Sequence, residues 1–116
     1  MHVEQNRQSR RLMSEEYAVR KMLYKGSLMV NICDKELLGR TLKEGELEVN
    51  ISKDYFYEQL MDKEGIIALL KECSIANLVG EKTIENALRL KLASELSIRR
   101  IDNVPFLMIF KFTSGY

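Results

Sequence analysis

From Tyr17 onward the chain alternates between polar and apolar positions. Val19, Lys21 and Leu23 interleave with Ala18, Arg20, Met22 and Tyr24, and Lys25-Gly26-Ser27 breaks the run before Leu28-Met29-Val30-Asn31-Ile32-Cys33. Two β-leaning stretches around a glycine turn predict a hairpin. Asp34 then suits the cap of a short helical turn through Leu37 and Leu38, closed by Gly39. Glu46-Leu47-Glu48-Val49-Asn50-Ile51 alternates cleanly, which predicts a strand with Leu47, Val49 and Ile51 facing a core. After Asp62 the apolar period changes. Ile66, Ile67, Leu69, Leu70 and Cys73 fall on one helical arc, with Asp62 as its cap, and Ile84, Ala87, Leu88, Leu90 and Leu92 predict a second helix over 81–92, interrupted by Lys91. Ser97-Ile98-Arg99-Arg100-Ile101, a turn over 102–105 and the run 106–112 predict a closing hairpin whose last strand is internal.

This order predicts an α+β fold: a single two-layer domain with a mostly antiparallel sheet of about five strands and two main helices packed across one face. Residues 1–16 are polar, rich in arginine and aperiodic, and read as a flexible leader ahead of one domain over 17–116. Met13 also makes a plausible start, with residues 1–12 as an upstream extension.

Composition narrows the class of protein. A chain of 116 residues is too short for a cofactor domain plus a separate substrate domain, and 46% hydrophobic with 30% charged residues fits a globular protein and not a disordered or fibrous one. No apolar run approaches the ~20 residues of a membrane-spanning helix, and no signal peptide is recognisable, so the expected location is cytoplasmic. Cys33 and Cys73 stand far apart, outside any Cys-x-x-Cys pair, and are expected to be reduced and buried.

Several chemistries drop out. The single histidine is His2, in the leader, so the body lacks the commonest general base and transition-metal ligand. Gly80-Glu81-Lys82-Thr83 superficially suggests a phosphate loop, but Glu81 separates the glycine from the lysine and position 75 is Ile where a glycine is required. Glu81 instead favours the start of a helix. Acidic pairs such as Glu15-Glu16 and Glu44 with Glu46 read as solvated surface. No catalytic residue, metal or cofactor is expected.

Basic and aromatic residues hold the remaining signal. Lys plus Arg number 18 against 17 for Asp plus Glu, a net charge of +1, which excludes a uniformly basic protein but not a local basic face. Arg20, Lys21 and Lys25 lie on the first hairpin and Arg40 and Lys43 after the short helix; they are either interspersed solubilising charge or, if they converge, a phosphate-binding patch. Arg99 and Arg100 are neighbours in a strand, so they leave opposite faces and one must reach a partner or a sheet edge. Tyr55-Phe56-Tyr57 is either a packing plug or a stacking platform for unpaired bases. Asn77 and Gly80 are poor helix-interior residues; Asn77 is expected to cap the second helix, and Gly80 to permit close approach of a backbone or ligand.

Asp34-Lys35-Glu36-Leu37-Leu38-Gly39-Arg40-Thr41, Ala76-Asn77-Leu78-Val79-Gly80-Glu81 and Ile101-Asp102-Asn103-Val104-Pro105 occur in that order. Together they resemble an archaeal family known as domain of unknown function number four-two-four, over about residues 18–112. The leader is longer than the family pattern, and Phe106 stands where many members have a polar residue. The resemblance implies an RNA- or ribosome-linked role in translation. The reading that follows is a non-enzymatic domain binding RNA or a ribonucleoprotein, with Arg40, Asn77, Gly80, Lys82, Arg89, Arg99 and Arg100 as contact candidates. The alternative is a protein–protein adaptor or homodimerising domain that uses a sheet edge or the 106–112 strand. An exposed apolar patch in place of a basic one discriminates for the adaptor.

Overall fold

The computed structural model describes residues 16–111. The first hairpin pairs β1 (Tyr17–Tyr24) with β2 (Ser27–Asp34) through their whole length, from Tyr17 opposite Asp34 to Tyr24 opposite Ser27. Its turn is two residues, Lys25 at φ 52° and Gly26 at φ 83°, the mirror-image turn that matches strand twist. A 3₁₀ turn (Lys35–Leu37) leads to Gly39 at φ 87°, then to a separate two-stranded sheet of β3 (Thr41–Glu44) and β4 (Leu47–Asn50). A one-turn helix α1 (Lys53–Phe56), capped by Ser52, and β5 (Gln59–Met61) precede α2 (Lys63–Glu72). Next come β6 (Ile75–Val79), α3 (Glu81–Arg89), a 3₁₀ turn (Glu95–Ser97), β7 (Arg99–Ile101) and β8 (Val104–Phe110).

The main sheet has six strands in the order β5-β1-β2-β6-β8-β7. It is mixed, because β2 and β6 run parallel while the other neighbours are antiparallel. Both edge strands are only three residues long, which limits edge-to-edge pairing. On one face Val19, Val30, Ile32, Ala76, Leu78, Leu107 and Ile109 pack against Ile66, Leu69 and Leu70 of α2 and Ile84 and Ala87 of α3. On the other, Ala18, Cys33, Val79 and Ile101 are buried with Leu37, Leu42 and Ile51 of the small hairpin region. The helix-bearing layer and both predicted helices are therefore present, but the sheet exceeds five strands and is not purely antiparallel.

The differences have local causes. β6 escapes a period-two reading because both of its parities are apolar, Ala76 and Leu78 toward the helices and Ile75 and Val79 on the other face, so it shows no alternation. Ile75–Val79 is thus a central strand and not an approach to a helix, and Asn77 does not cap α3: the cap position is Gly80. β5 is three residues borrowed by the edge of β1, and β3 carries only Leu42 inward. Leu47 is exposed at the tip of its hairpin, whereas Ile51 is fully buried. Pro105 belongs to β8 and not to the turn, which is only Asp102-Asn103 at φ 52° and 67°. Its missing N–H costs nothing there. The Gly80 N–H donates to Pro105 O at 3.0 Å, and the Gly80 carbonyl already accepts from Ile84 N of α3 at 3.0 Å. Residues 1–15 of the predicted leader and the predicted strand end at Phe112 lie outside the described residues.

Capping divides between local and distant groups. Asp62 accepts from Gly65 N at 2.9 Å, the sequence-predicted cap of α2, while the Lys111 ammonium, from beyond β8, donates to the carbonyls of Leu70 and Lys71 at its C-terminus. α3 stops at Arg89, short of the predicted 92. Lys91 N donates to Leu88 O at 2.9 Å and Leu92 N to Ala87 O at 3.0 Å, the paired bonds of a Schellman end, with Lys91 in the left-handed region at φ 60°. Lys91→Gly is expected to raise the unfolding free energy by about 1 kcal/mol, visible as a higher urea midpoint at constant slope; an unchanged or lower midpoint contradicts this role.

Candidate functional site

The α3 N-terminus is the feature that sequence reasoning singled out, and its backbone donors are already engaged. The buried Asp34 carboxylate reaches across from the end of β2: Oδ1 accepts from Thr83 N at 2.8 Å and Thr83 Oγ1 at 2.7 Å, and Oδ2 accepts from Lys82 N at 3.1 Å. Asp34 makes no side-chain bond to the 3₁₀ turn it precedes, so it caps a distant helix and not its own. The close approach predicted for Gly80 is real, but what approaches is this carboxylate: a Cβ on Gly80 would lie 2.6 Å from each of its oxygens. The anion position of the helix is filled by the protein's own side chain.

The charged candidates separate. Lys82 pairs with Glu36 at 3.1 Å, Arg89 with Glu85 at 2.8 Å, and Arg100 with Glu81 at 2.8 Å, all on the surface. The hydrogen bond from Arg100 holds the Glu81 carboxyl below its ordinary value, and the hydrogen bond to Glu36 raises the Lys82 ammonium. Arg40 is exposed beside the small hairpin and joins none of these groups. Arg99 leaves β7 on the face opposite Arg100, as neighbours in a strand must, and lines a groove of about 460 Å³ with Asn77, Val49, Phe56, Phe106 and Met108. Of the seven candidates, this groove brings together Asn77 and Arg99 and leaves the others elsewhere.

The groove is the deep end of a larger surface. The small hairpin and α1 cover only one end of that sheet face, over Cys33, Val79 and Phe106. The ladder register lines up two further rows, of which the first is still covered by α1 at Asn31. Arg20, Asn31, Asn77 and Met108 are successive partners across β1, β2, β6 and β8, and so are Met22, Met29, Ile75 and Phe110. Asn31, beneath α1, donates to Tyr55 O at 2.9 Å and accepts from Asn77 Nδ2 at 2.9 Å, so a polar bridge crosses the central strands. Met108 and Phe110 are each 55% exposed, and Met22, Met29 and Ile75 are half-buried. Arg20 places Nη1 3.5 Å from the Met22 sulfur. Tyr55 and Tyr57 are exposed, and Phe56 alone of that cluster packs inward, the plug reading for one ring of three.

Sequence reasoning missed this surface because it belongs to no segment. Each strand contributes one or two apolar residues to it, and the contributing strands β2 and β6 are separated by more than forty residues.

Other chemistry is sparse. Burial, then the charges of Asp34 and Glu36, push the Cys33 thiol up to about 12, and burial raises that of Cys73, so neither is a thiolate near neutral pH. Both are free and buried. Among the described residues no three of His, Cys, Asp and Glu gather to hold a metal ion, and no helix is long and apolar enough to cross a membrane.

The family model described as "Protein of unknown function (DUF424)" matches residues 10–112. The chain is also similar to a solved structure, described as the crystal structure of an uncharacterized conserved protein from Methanopyrus kandleri, at 20% identity and a TM-score of 0.70, covering 87% of this chain and 97% of that one. At that identity the likeness speaks for the fold alone. No curated protein matches the chain.

Proposed function

The chain belongs to the family of proteins of unknown function DUF424, whose model spans most of its length, and from that footing we propose that it is a non-enzymatic interaction module that docks a partner protein across the open half of its sheet. One observation carries this reading: Met22, Met29, Ile75, Met108 and Phe110 form a contiguous apolar row-and-corner on a face that the small hairpin leaves uncovered. Apolar patches of that kind mark interaction sites on small soluble domains. Of the five cations among the RNA-contact candidates, Lys82, Arg89 and Arg100 are engaged with carboxylates, which weakens the RNA reading. That reading keeps one point in its favour, the Asn77 amide and Arg99 beside Phe106 in a single groove, an arrangement suited to an unpaired base.

The test uses the full chain in the cells that make it, with a photo-crosslinking residue at position 108 or, as a control on the opposite layer, at position 85. The expected result is a nuclease-resistant protein adduct of discrete mass from position 108, absent from position 85 and lost when Phe110→Asp is added. No adduct at 108, or equal adducts from both positions, overturns the proposal. An adduct that vanishes with nuclease assigns the face to RNA and overturns it equally.

A further inference from the structure

β7 covers only part of β8. It pairs from Val104 to Phe106, and the place beside Leu107 falls to Ile98, whose extended backbone leads from the 3₁₀ turn into β7. Pro105 O accepts from Gly80 N and Lys111 N donates to Ser74 O, both on the β6 side, so the even-numbered residues of β8 turn their main-chain groups the other way. Val104 and Phe106 meet β7 there. Met108 and Phe110 meet nothing: their N–H and C=O groups have no hydrogen-bond partner among the described residues. Such groups along about 7 Å of edge are a template for one more strand. The opposite edge of the sheet is protected where this one is open. β5 stops at Val19 of β1, but the Glu58 carboxylate then accepts from Lys21 N at 3.1 Å, and Lys21 and Lys25 add charge beside the gap. Along the β8 edge, the groove of about 460 Å³ is lined by Ser97, Arg99, Phe106 and Met108. Arg99 is exposed and takes part in no ion pair among the described residues.

We propose that β8 takes the C-terminal tail of a partner protein as an added strand, antiparallel to β8 and in line with β7, with its last residue opposite Met108 and its carboxylate beside Arg99. This rests on the interaction-module reading above and adds which part of the partner enters, and how. The extended form follows from the edge, because an extended backbone is what presents N–H and C=O groups at the spacing of Met108 and Phe110. The chain end follows from β7. A strand laid along this line runs into Ile98 at the next place, so it has to stop, and a terminus stops without a turn. Arg99 then chooses between the two termini: its guanidinium pairs with a carboxylate and repels an ammonium, which fixes the antiparallel direction. It stands two residues along the strand line from the place opposite Met108, about 7 Å, within reach of an arginine side chain. The last residue of the tail and the residue two before it lie beside the half-exposed side chains of Met108 and Phe110, which suit aliphatic neighbours. A second copy of β8 fits this line poorly. Lys111 follows Phe110 and is held in register by Ser74 O, so the copy would meet Ile98 where a tail would end.

The photo-crosslinking residue at position 108 reads this in the cells that make the protein. After digestion of the adduct, the partner fragment joined to position 108 is expected to contain the partner's C-terminus. A joined internal fragment defeats this inference and leaves the interaction module standing; no adduct at 108 defeats both. The second arm uses the full chain and a fluorescent octapeptide ending Ile-Thr-Ile, prepared as the free acid, as the C-terminal amide, and as the acid with an N-methyl group on its last residue. By anisotropy, the free acid is expected to bind about tenfold more tightly than either other form. Arg99→Gln, an exposed and mild substitution, is expected to erase the difference between acid and amide while the N-methyl group still weakens binding. At saturation with the acid, exchange of the Met108 and Phe110 amide hydrogens is expected to slow, and that of Leu23 on the opposite edge to stay unchanged. Four results overturn the inference: no binding of the acid or indifference to amidation, unprotected amides at Met108 and Phe110, tighter binding of oligouridine than of the acid, or a dimer by light scattering that Phe110→Asp dissolves.

Discussion

Asp34→Ala is expected to lower the unfolding free energy by about 3 kcal/mol, because three donors lose their acceptor at once. Two of them, Thr83 N and Thr83 Oγ1, belong to a fully buried residue. The effect exceeds that of an ordinary helix cap, since Asp34 also ties β2 to α3 across the parallel β2–β6 pair. Asp34→Asn keeps one acceptor oxygen and is expected to cost about half as much. Urea unfolding, read as a fall in midpoint at constant slope, measures both. A loss under about 1 kcal/mol for the alanine variant means that α3 does not depend on this cap.

Gly80→Ala is expected to be at least as damaging, about 3 kcal/mol or more, for two separable reasons. Its backbone sits at φ 110°, where a side chain is strained, and its new methyl group would lie 2.6 Å from each oxygen of Asp34. The double variant separates them. With Asp34→Ala already in place the collision is gone and only the backbone strain of about 1–2 kcal/mol is left, so the two substitutions are expected to be strongly sub-additive. Simple additivity in that cycle contradicts the account of Gly80 as the glycine that lets Asp34 in. The double variant also keeps the test open if Gly80→Ala alone fails to fold.

These two residues show how much of the candidate site was legible beforehand. Local pattern assigns Asp34 to the neighbouring turn and Gly80 to the close approach of a backbone or ligand, whereas a side-chain carboxylate is what approaches it. Gly80 stands out from its residue type, whereas Asp34 looks like an ordinary local cap; the two lie 46 positions apart in sequence, a pairing no local pattern contains. Arg99 and Arg100 were more transparent, because strand geometry alone sends adjacent side chains to opposite faces; that Arg100 would meet Glu81 depended on α3 lying over the edge strand. Asn77 was misread as a cap for the reason β6 was overlooked. In a strand that is apolar on both parities, one asparagine bridged to Asn31 looks from the sequence like a break in an apolar run.

The sequence by itself determined the elements whose signal is local: the first and last hairpins, the apolar faces of α2 and α3, the Asp62 cap, and the absence of histidine from the body of the protein. Those follow from periodicity and composition, which act over a few residues. Tertiary structure alone decided the parallel β2–β6 pairing, the filling of the α3 N-terminus by Asp34, and the assembly of an open apolar face from Met22, Met29, Ile75, Met108 and Phe110. Each of those depends on which strands become neighbours. That choice is made by burying two layers of apolar side chains at once, and no single segment encodes it.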